Sequence, residues 1–269
     1  MKIPHLLSAL VTCLTLALPA AAQQSGSPLR GDLLTGWQQA DGRRVAAIRL
    51  RMAPGWKTYW RSPGDAGIPP EFDWSGSDNL ADVAITWPAP KVFDQGGVSS
   101  IGYAREVILP LTLTPRRAGQ PVALDVEIDL GVCSDICLPQ TVQLNALLDS
   151  SSQQPTPAIA AAIAARPYSG ADAGVKRATC RLRPTAEGLS IETRLTLPPA
   201  GGKETVVIEP GTAGLWMSAT DSQRRGDTLI STGELFAENG RALALDRSAI
   251  RITVIGQKHS VEIKGCTPA

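Results

Sequence analysis

The sequence predicts an all-β protein built from two immunoglobulin-like β-sandwich domains that follow a cleaved signal peptide. Short runs of residues alternate between apolar and polar side chains, as antiparallel strands do when one face lies in the core and the other in water. Turn residues separate these runs, and the chain of 269 residues holds 25 glycines and 21 prolines. No long amphipathic helix interrupts the pattern, which disfavours a thioredoxin-like α/β fold.

The N-terminus has the three parts of a secretory signal peptide. Lys2 is followed by an apolar stretch from Leu6 to Leu18, and Ala20 and Ala22 fit the small-residue cleavage rule. A retained membrane anchor is the alternative, but the apolar stretch is short for a bilayer. We therefore expect residues 1–22 to be removed and the mature chain, which has no further membrane span, to reach the periplasm, where disulfides persist.

Alternation places strands in both halves of the remaining chain. The predicted strands cover 45–52, 107–113, 122–130, 189–197, 204–209, 250–255 and 261–264. A polar, proline-containing break at 150–157 separates the halves, and the alanine-rich stretch from Ala158 to Arg166 predicts a short helix after it. The predicted organisation is a first sandwich at 23–150, a linker with a short helix at 151–170, and a second sandwich at 171–269.

Composition excludes several classes of function. Lys and Arg number 26 against 25 Asp and Glu, and no basic run is long enough for a nucleic-acid surface. Only two histidines exist, and His5 lies in the predicted signal peptide, so His259 alone cannot build a multi-histidine metal site. A copper site at the cysteines would have only Met52 and Met217 as methionine ligands. We expect no metal and no cofactor.

The chemical centre of the sequence is the pair Cys133 and Cys137, separated by Ser-Asp-Ile. Extending the alternation of 122–130 puts both cysteines on the face that points out of the core, at the facing ends of two strands. A bridge between them closes a very small ring and stabilises little through loop entropy. Asp135 in the loop disfavours a nearby thiolate. The spacing alone leaves catalytic exchange and an inert structural bridge equally open.

The other two cysteines of the mature chain lie near the ends of the second predicted domain. Cys180 is expected to start the first strand of that domain, ahead of 189–197, and Cys266 lies close to the C-terminus. The simplest pairing joins them as a structural disulfide that closes a long loop. Four cysteines allow three connectivities, and the spacing does not choose among them.

The segment from Pro54 to Trp74 is dense in glycine, proline and aromatic residues, as a loop would be. Its tryptophans would close the end of the sandwich by ordinary packing. The alternative is an aromatic platform for stacking on sugars, which would make the protein a non-catalytic periplasmic module for binding protein or glycan, with structural disulfides only.

Three segments together resemble the N-terminal periplasmic domain of the DsbD thiol:disulfide interchange family, in particular its ScsB branch. They are PGWKTYWRSPGDAGIPPEFDW at 54–74, VFDQGGVSSIGYAREVILPL at 92–111 and DLGVCSDICLPQTV at 129–142. The resemblance implies an immunoglobulin-like domain that relays electrons through Cys133 and Cys137, with Cys137 attacking the partner disulfide and Cys133 resolving the mixed disulfide. The second predicted domain matches only loosely.

The resemblance also implies a cap and a set of partners. Segment 92–103 matches the family's cap loop, which makes Phe93 the aromatic that shields the pair and Tyr103 a flanking contact. Partners would be periplasmic thioredoxin-like or disulfide-isomerase proteins, and the branch implies a role in copper tolerance. Because the sequence shows neither the family's multi-helix membrane domain nor its thioredoxin-like domain, electrons would come from a separate membrane or thioredoxin-like donor. The expected activity is that of a protein-disulfide reductase.

Overall fold

The computed structural model describes residues 27–269 except 66, 96, 150–151, 187, 213 and 238–244. The predicted signal peptide lies outside the described residues. The described part of the chain is almost entirely β-structure, which confirms the predicted all-β, immunoglobulin-like fold. No helix among the described residues is long and apolar enough to cross a membrane.

Ten strands from residues 29–148 form two antiparallel sheets, which we call the N-terminal β unit. The strands are β1 (Leu29–Gln38), β2 (Arg44–Met52), β3 (Lys57–Tyr59), β4 (Glu71–Asp73), β5 (Leu80–Ile85), β6 (Lys91–Gln95), β7 (Val98–Ala104), β8 (Glu106–Pro115), β9 (Val122–Cys133) and β10 (Cys137–Leu148). One sheet has the order β1-β2-β8-β5, and the other has the order β10-β9-β3-β7-β6 with β4 also paired to β9.

A second group of ten strands, from residues 168–268, forms what we call the C-terminal β unit. The strands are β11 (Tyr168–Ser169), β12 (Arg177–Pro184), β13 (Leu189–Thr196), β14 (Thr205–Glu209), β15 (Leu215–Met217), β16 (Asp221–Arg225), β17 (Thr228–Ala237), β18 (Arg251–Ile255), β19 (Ser260–Lys264) and β20 (Thr267–Pro268). Its sheets have the orders β11-β19-β18-β14 and β15-β17-β13-β12-β20, with β16 paired to β17.

Alternation along β9 shows how the sequence builds the first core. Val122, Val126 and Ile128 are fully buried, whereas Ala123 and Glu127 between them are exposed. Burying every second side chain is the arrangement that removes the most apolar surface from water when one face of a sheet packs on another.

The connection between the units is packed rather than loose. Helix α1 spans Pro157–Ala164, slightly shorter than the predicted helix, and begins with proline, whose missing N–H costs nothing at that position. Ile159 of the helix is fully buried in a small cluster with Val45 and Ala47 of β2. The helix therefore lies on the N-terminal β unit, and the chain enters the C-terminal β unit from there.

The two units also share apolar contacts. Val207 of β14 and Ile255 of β18 are buried in the same hydrophobic cluster as Trp60 and the core of the N-terminal β unit. Thirteen other buried residues of the C-terminal β unit, Ile191 and Leu195 among them, form a cluster of their own. Each unit thus has its own core, with a bridge of buried side chains between them.

Candidate functional site: a disulfide at the end of a hairpin

The pair Cys133 and Cys137 closes the β9–β10 hairpin. The two strands pair without a break from Val122↔Leu148 to Cys133↔Cys137, and the two cysteines are joined by a disulfide with their Cα atoms 4.1 Å apart. The Ser134 N–H donates to the Ile136 carbonyl at 3.0 Å across the turn. Unbroken pairing fixes both cysteines on the face of β9 and β10 that is opposite the core.

The two residues of this bridge differ in their exposure to solvent. Cys137 is exposed, and its neighbour Ile136 is 61% exposed, whereas Cys133 is only 1% exposed. The expectation that both cysteines face solvent therefore needs a correction for Cys133. Its side chain points out of the core as the alternation predicts, but another part of the chain covers it, and strand alternation reports nothing about such a cover.

The residue that covers the pair is Tyr59 at the end of β3. Its hydroxyl lies 2.8 Å from Cys133 Sγ and 3.4 Å from Cys137 Sγ. Because a disulfide sulfur carries no hydrogen, the hydroxyl is the donor in both contacts. Burial raises the pKa of Tyr59, so its hydroxyl keeps its proton at neutral pH and stays available to donate.

Small residues on the neighbouring strands bring Tyr59 close to the sulfurs. A Cβ atom at Gly131 of β9 would lie 2.9 Å from Tyr59 Cε2, and one at Gly102 of β7 would lie 2.0 Å from the Thr58 carbonyl oxygen. Thr58 Oγ1 donates to the Gly131 carbonyl at 2.9 Å. Glycine at both positions lets β3 pack between β7 and β9 with the tyrosine ring close to Gly131 of β9.

A buried lysine lies on the same face beside Cys133. Lys57 is the register partner of Cys133 in the β3–β9 pairing, and it is only 6% exposed. Its Nζ donates to Ser100 Oγ at 3.2 Å and lies 5.1 Å from the centre of the Phe93 ring. Burial lowers the pKa of Lys57. The Lys57 side chain thus lies on the face that carries the cysteines, with its ammonium held by the Ser100 hydroxyl and the Phe93 ring.

The structure separates the two residues that the sequence placed in a cap. Phe93 of β6 pairs with Ser100 and is half-buried on the face that carries the cysteines, with Lys57 against its ring. Tyr103 lies on the opposite face, because it pairs with Thr58 and through it with Val132. Tyr103 is 7% exposed in the core. It does not flank the pair, in contrast to the expectation.

The surroundings of Tyr103 are those of a core residue. Its hydroxyl donates to the Pro88 carbonyl at 2.8 Å, and burial raises its pKa far above the ordinary value. The hydrogen bond satisfies the hydroxyl inside the core, which is how a buried tyrosine is usually accommodated. Nothing in this environment gives Tyr103 a role in thiol chemistry.

The aromatic segment 54–74 does not form an open platform. Trp60 is fully buried and Tyr59 is 4% exposed, so neither ring can stack on a sugar. Phe72 and Trp74 stack on each other with their ring centroids 5.8 Å apart, and both are packed against the core. The segment packs the end of the sandwich and brings Tyr59 over the disulfide.

The second disulfide joins Cys180 to Cys266 in the C-terminal β unit. The two residues are 86 positions apart, and Cys180 is fully buried in the core of that unit. Among the described residues, no three His, Cys, Asp or Glu side chains lie close enough together to hold a metal ion.

Sequence reasoning missed two residues of the site, Tyr59 and Lys57. Both lie in the segment that suggested aromatic packing, but their contacts with Cys133 join positions 74 and 76 residues apart. The available signal was the alternation Lys57-Thr58-Tyr59, which puts the first and third residues on one face of a strand. What that face would meet depends on long-range pairing.

Residues 30–149 match the family model "Thiol:disulfide interchange protein DsbD, N-terminal". Among solved structures, the chain is similar to the N-terminal periplasmic domain of ScsB from Proteus mirabilis, with a TM-score of 0.68 and 23% identity over 94% of this chain and 97% of that one. At this identity the likeness concerns the fold. No curated protein sequence matches the chain.

Proposed function

Because residues 30–149 form a DsbD N-terminal-like domain, we propose that this chain is a periplasmic protein-disulfide reductase that works through Cys133 and Cys137. It would carry electrons from a membrane or thioredoxin-like donor to oxidised periplasmic proteins. The observation that carries the proposal is the unequal exposure of the two bridged residues, with Cys137 exposed and Cys133 covered by Tyr59.

The exposed sulfur suits attack on a partner. In the reduced domain, the Cys137 thiolate attacks one sulfur of the partner disulfide, forms a mixed disulfide and releases the partner's other sulfur as a thiolate, which takes up a proton. The Cys133 thiolate then attacks Cys137 Sγ, forms the Cys133–Cys137 bond and releases the second partner thiol. Two electrons pass to the partner, and a donor dithiol restores the domain by the reverse sequence.

The covered sulfur suits resolution. Cys133 needs to reach only Cys137, its direct partner at the end of the hairpin, so burial does not hinder this step. In the reduced domain the Tyr59 hydroxyl is placed to donate to a Cys133 thiolate. This hydrogen bond lowers the cost of forming the resolving nucleophile.

The organisation of the chain fits this role. We propose a signal peptide at 1–22, the exchange domain at 23–150, the linker at 151–170 and a second β-sandwich domain at 171–269. Docking of helix α1 on β2 through Ile159 supports treating the linker as a fixed connection. A role in copper tolerance remains an expectation from the family branch alone.

Trapping of mixed disulfides tests the proposal and the order of attack. The full mature chain with Cys133→Ala, with its Cys137 thiol free, is mixed with a thioredoxin-like protein that keeps only its exposed active-site cysteine, activated as a mixed disulfide with 2-nitro-5-thiobenzoate, which is the leaving group. We expect a stable adduct through Cys137, because the resolving thiol is gone. The Cys137→Ala variant is the matched control and should give far less adduct, because Cys133 is covered.

Two results would contradict the proposal. One is the lack of an adduct with both variants, together with a Cys133–Cys137 bond that neither glutathione nor thioredoxin reduces. The other is an adduct that forms equally well through Cys133, which would reverse the assignment of the attacking thiol. Mass mapping of the adduct identifies the cysteine in each case.

A further inference from the structure

The residues that follow Tyr59 connect the disulfide to the C-terminal β unit. We call Tyr59–Asp65 the cover segment, because its first residue covers Cys133. Two backbone hydrogen bonds hold it to its own unit: the Trp60 N–H donates to the Ile101 carbonyl, and the Ile101 N–H donates to the Pro63 carbonyl, both at 2.9 Å. Its side chains, by contrast, reach into the other unit.

Arg61 makes the strongest of these contacts. Its Nε donates to Glu209 Oε1 at 2.8 Å, and its Nη2 donates to Glu209 Oε2 and to Glu262 Oε2, both at 2.9 Å. The Arg61 side chain is 14% exposed, and the guanidinium lies 4.3 Å from the centre of the buried Trp60 ring. Hydrogen bonds from one planar guanidinium to two carboxylates hold the arginine side chain in one position and also balance its charge.

A second contact lies at the other end of the cover segment. Asp65 Oδ1 accepts a hydrogen bond from the Ala219 N–H of the C-terminal β unit at 2.9 Å. Gly64, with φ of 81°, makes the turn before it, in a conformation that favours glycine. The cover segment is thus attached to the C-terminal β unit at two points, two and six residues beyond the tyrosine.

We propose that the C-terminal β unit is a positioning module for the exchange reaction. Through Arg61 and Asp65 it holds the cover segment so that Tyr59 stays over Cys133, and it thereby sets how easily reductants reach the bridge. This inference extends the proposed function by giving the second unit a part in it. Glu209, Glu262 and the Ala219 N–H are the groups of that unit that do the holding.

The test measures how fast dithiothreitol reduces each disulfide in the full mature chain, by quenching, alkylation and mass mapping. Asp65→Ala is the first variant, since Asp65 is exposed and its loss should leave the fold intact. Glu209→Gln/Glu262→Gln is the second, because it removes the charges of the fork while keeping the side-chain shapes. In both variants we expect reduction of Cys133–Cys137 to become about tenfold faster, as loss of a charge-assisted hydrogen bond allows.

Two controls separate this effect from general loosening. Glu204→Gln weakens a carboxylate–arginine pair with Arg224 that lies wholly within the C-terminal β unit and should leave the rate at Cys133–Cys137 unchanged. The Cys180–Cys266 bridge in the same molecule reports unfolding of the unit. The inference is overturned if the rate at Cys133–Cys137 stays at the wild-type value, or if both bridges accelerate together.

Failure of this inference differs from failure of the proposed function. Adducts that form with the Cys133→Ala variant while the rates stay unchanged would leave the exchange reaction standing and remove the role of the C-terminal β unit. A rate change without any adduct would support the positioning contacts and remove the exchange reaction.

Discussion

The two disulfides of this chain use the same bond in two different surroundings. Cys133 and Cys137 are four residues apart at the end of one hairpin, with one sulfur exposed. Cys180 and Cys266 are 86 residues apart, and Cys180 is fully buried in the core of the C-terminal β unit. The first bridge restricts little of the unfolded chain and ends on an exposed residue, whereas the second restricts much of it and ends on the half-buried Cys266.

Chain entropy gives this difference a magnitude. Closing a loop of 86 residues removes enough freedom from the unfolded chain to stabilise the fold by about 4–5 kcal/mol, against about 2 kcal/mol for a loop of four. A protein that repeatedly opens a disulfide must stay folded when the bond is broken. Placing the reactive bridge across the shorter loop keeps the loss of stability small in each cycle.

The largest predicted effect is the loss of stability when either disulfide is removed. Cys180→Ala/Cys266→Ala should lower the free energy of unfolding by about 4 kcal/mol, and Cys133→Ala/Cys137→Ala should lower it by about 2 kcal/mol or less. Denaturant unfolding under oxidising conditions measures both. Equal losses in the two double variants, with unchanged dependence on denaturant, would remove the distinction between a structural and an exchangeable bridge.

The next prediction concerns the hydroxyl that covers the reactive bridge. Tyr59→Phe keeps the ring against Gly131 but removes the donor that lies 2.8 Å from Cys133 Sγ. Losing a hydrogen bond to a thiolate should raise the pKa of the Cys133 thiol by about one unit. The pKa is measured from thiolate absorbance in a Cys137→Ala background, where Cys133 is the free thiol.

The exposed Tyr168 supplies the control for this measurement. Tyr168→Phe changes the same functional group in the C-terminal β unit, where the ring packs against His259, and should leave the Cys133 pKa as it is. An unchanged pKa in Tyr59→Phe would mean that the hydroxyl moves away from the sulfur on reduction, and Tyr59 would then act only as a steric cover.

The sequence predicted the strands well because their signal is local. Alternation from Val122 to Leu130 identified most of β9 and the face on which Cys133 lies, since each residue's face follows from its neighbours. It did not predict the cover over Cys133, because Tyr59 reaches it through the pairing of β3 with β9. Tyr103 was misplaced for another reason. Its place beside the pair came from the family resemblance, whereas it pairs with Thr58 and is buried on the core face of β7.

The connection between the units shows the same limit. An alanine-rich run after a polar break predicted a short helix, and α1 forms there. The run contained no sign that Ile159 would be buried against Val45 and Ala47, because those partners lie more than a hundred residues earlier in the chain. Local patterns predicted the elements, and long-range contacts determined which surfaces they cover.

The smallest predicted effect is a change in how the free energy of unfolding depends on pH, and it concerns one carboxyl group of the C-terminal β unit. Glu204 in the C-terminal β unit is 8% exposed and accepts hydrogen bonds from the Ala200 N–H at 2.7 Å and from Arg224 Nη2 at 2.8 Å. Burial alone would raise its pKa, but the Arg224 and Ala200 hydrogen bonds outweigh burial and lower it. The folded state therefore binds fewer protons here than the unfolded state.

The sign of the pH dependence follows from that lowered pKa. The stabilisation is present above the unfolded pKa of Glu204 and is lost as pH falls through the folded value. Glu204→Gln should lower the free energy of unfolding by about 1 kcal/mol at neutral pH. In the variant this free energy should also fall less steeply as the pH is lowered. The control is Glu192→Gln, which removes the charge of a more exposed ion pair with Arg194. It should change the free energy of unfolding and its pH dependence by less. If Glu204→Gln also altered the reduction rate of Cys133–Cys137, the stability of the C-terminal β unit, and not its contacts with the cover segment, would govern the reactive bridge.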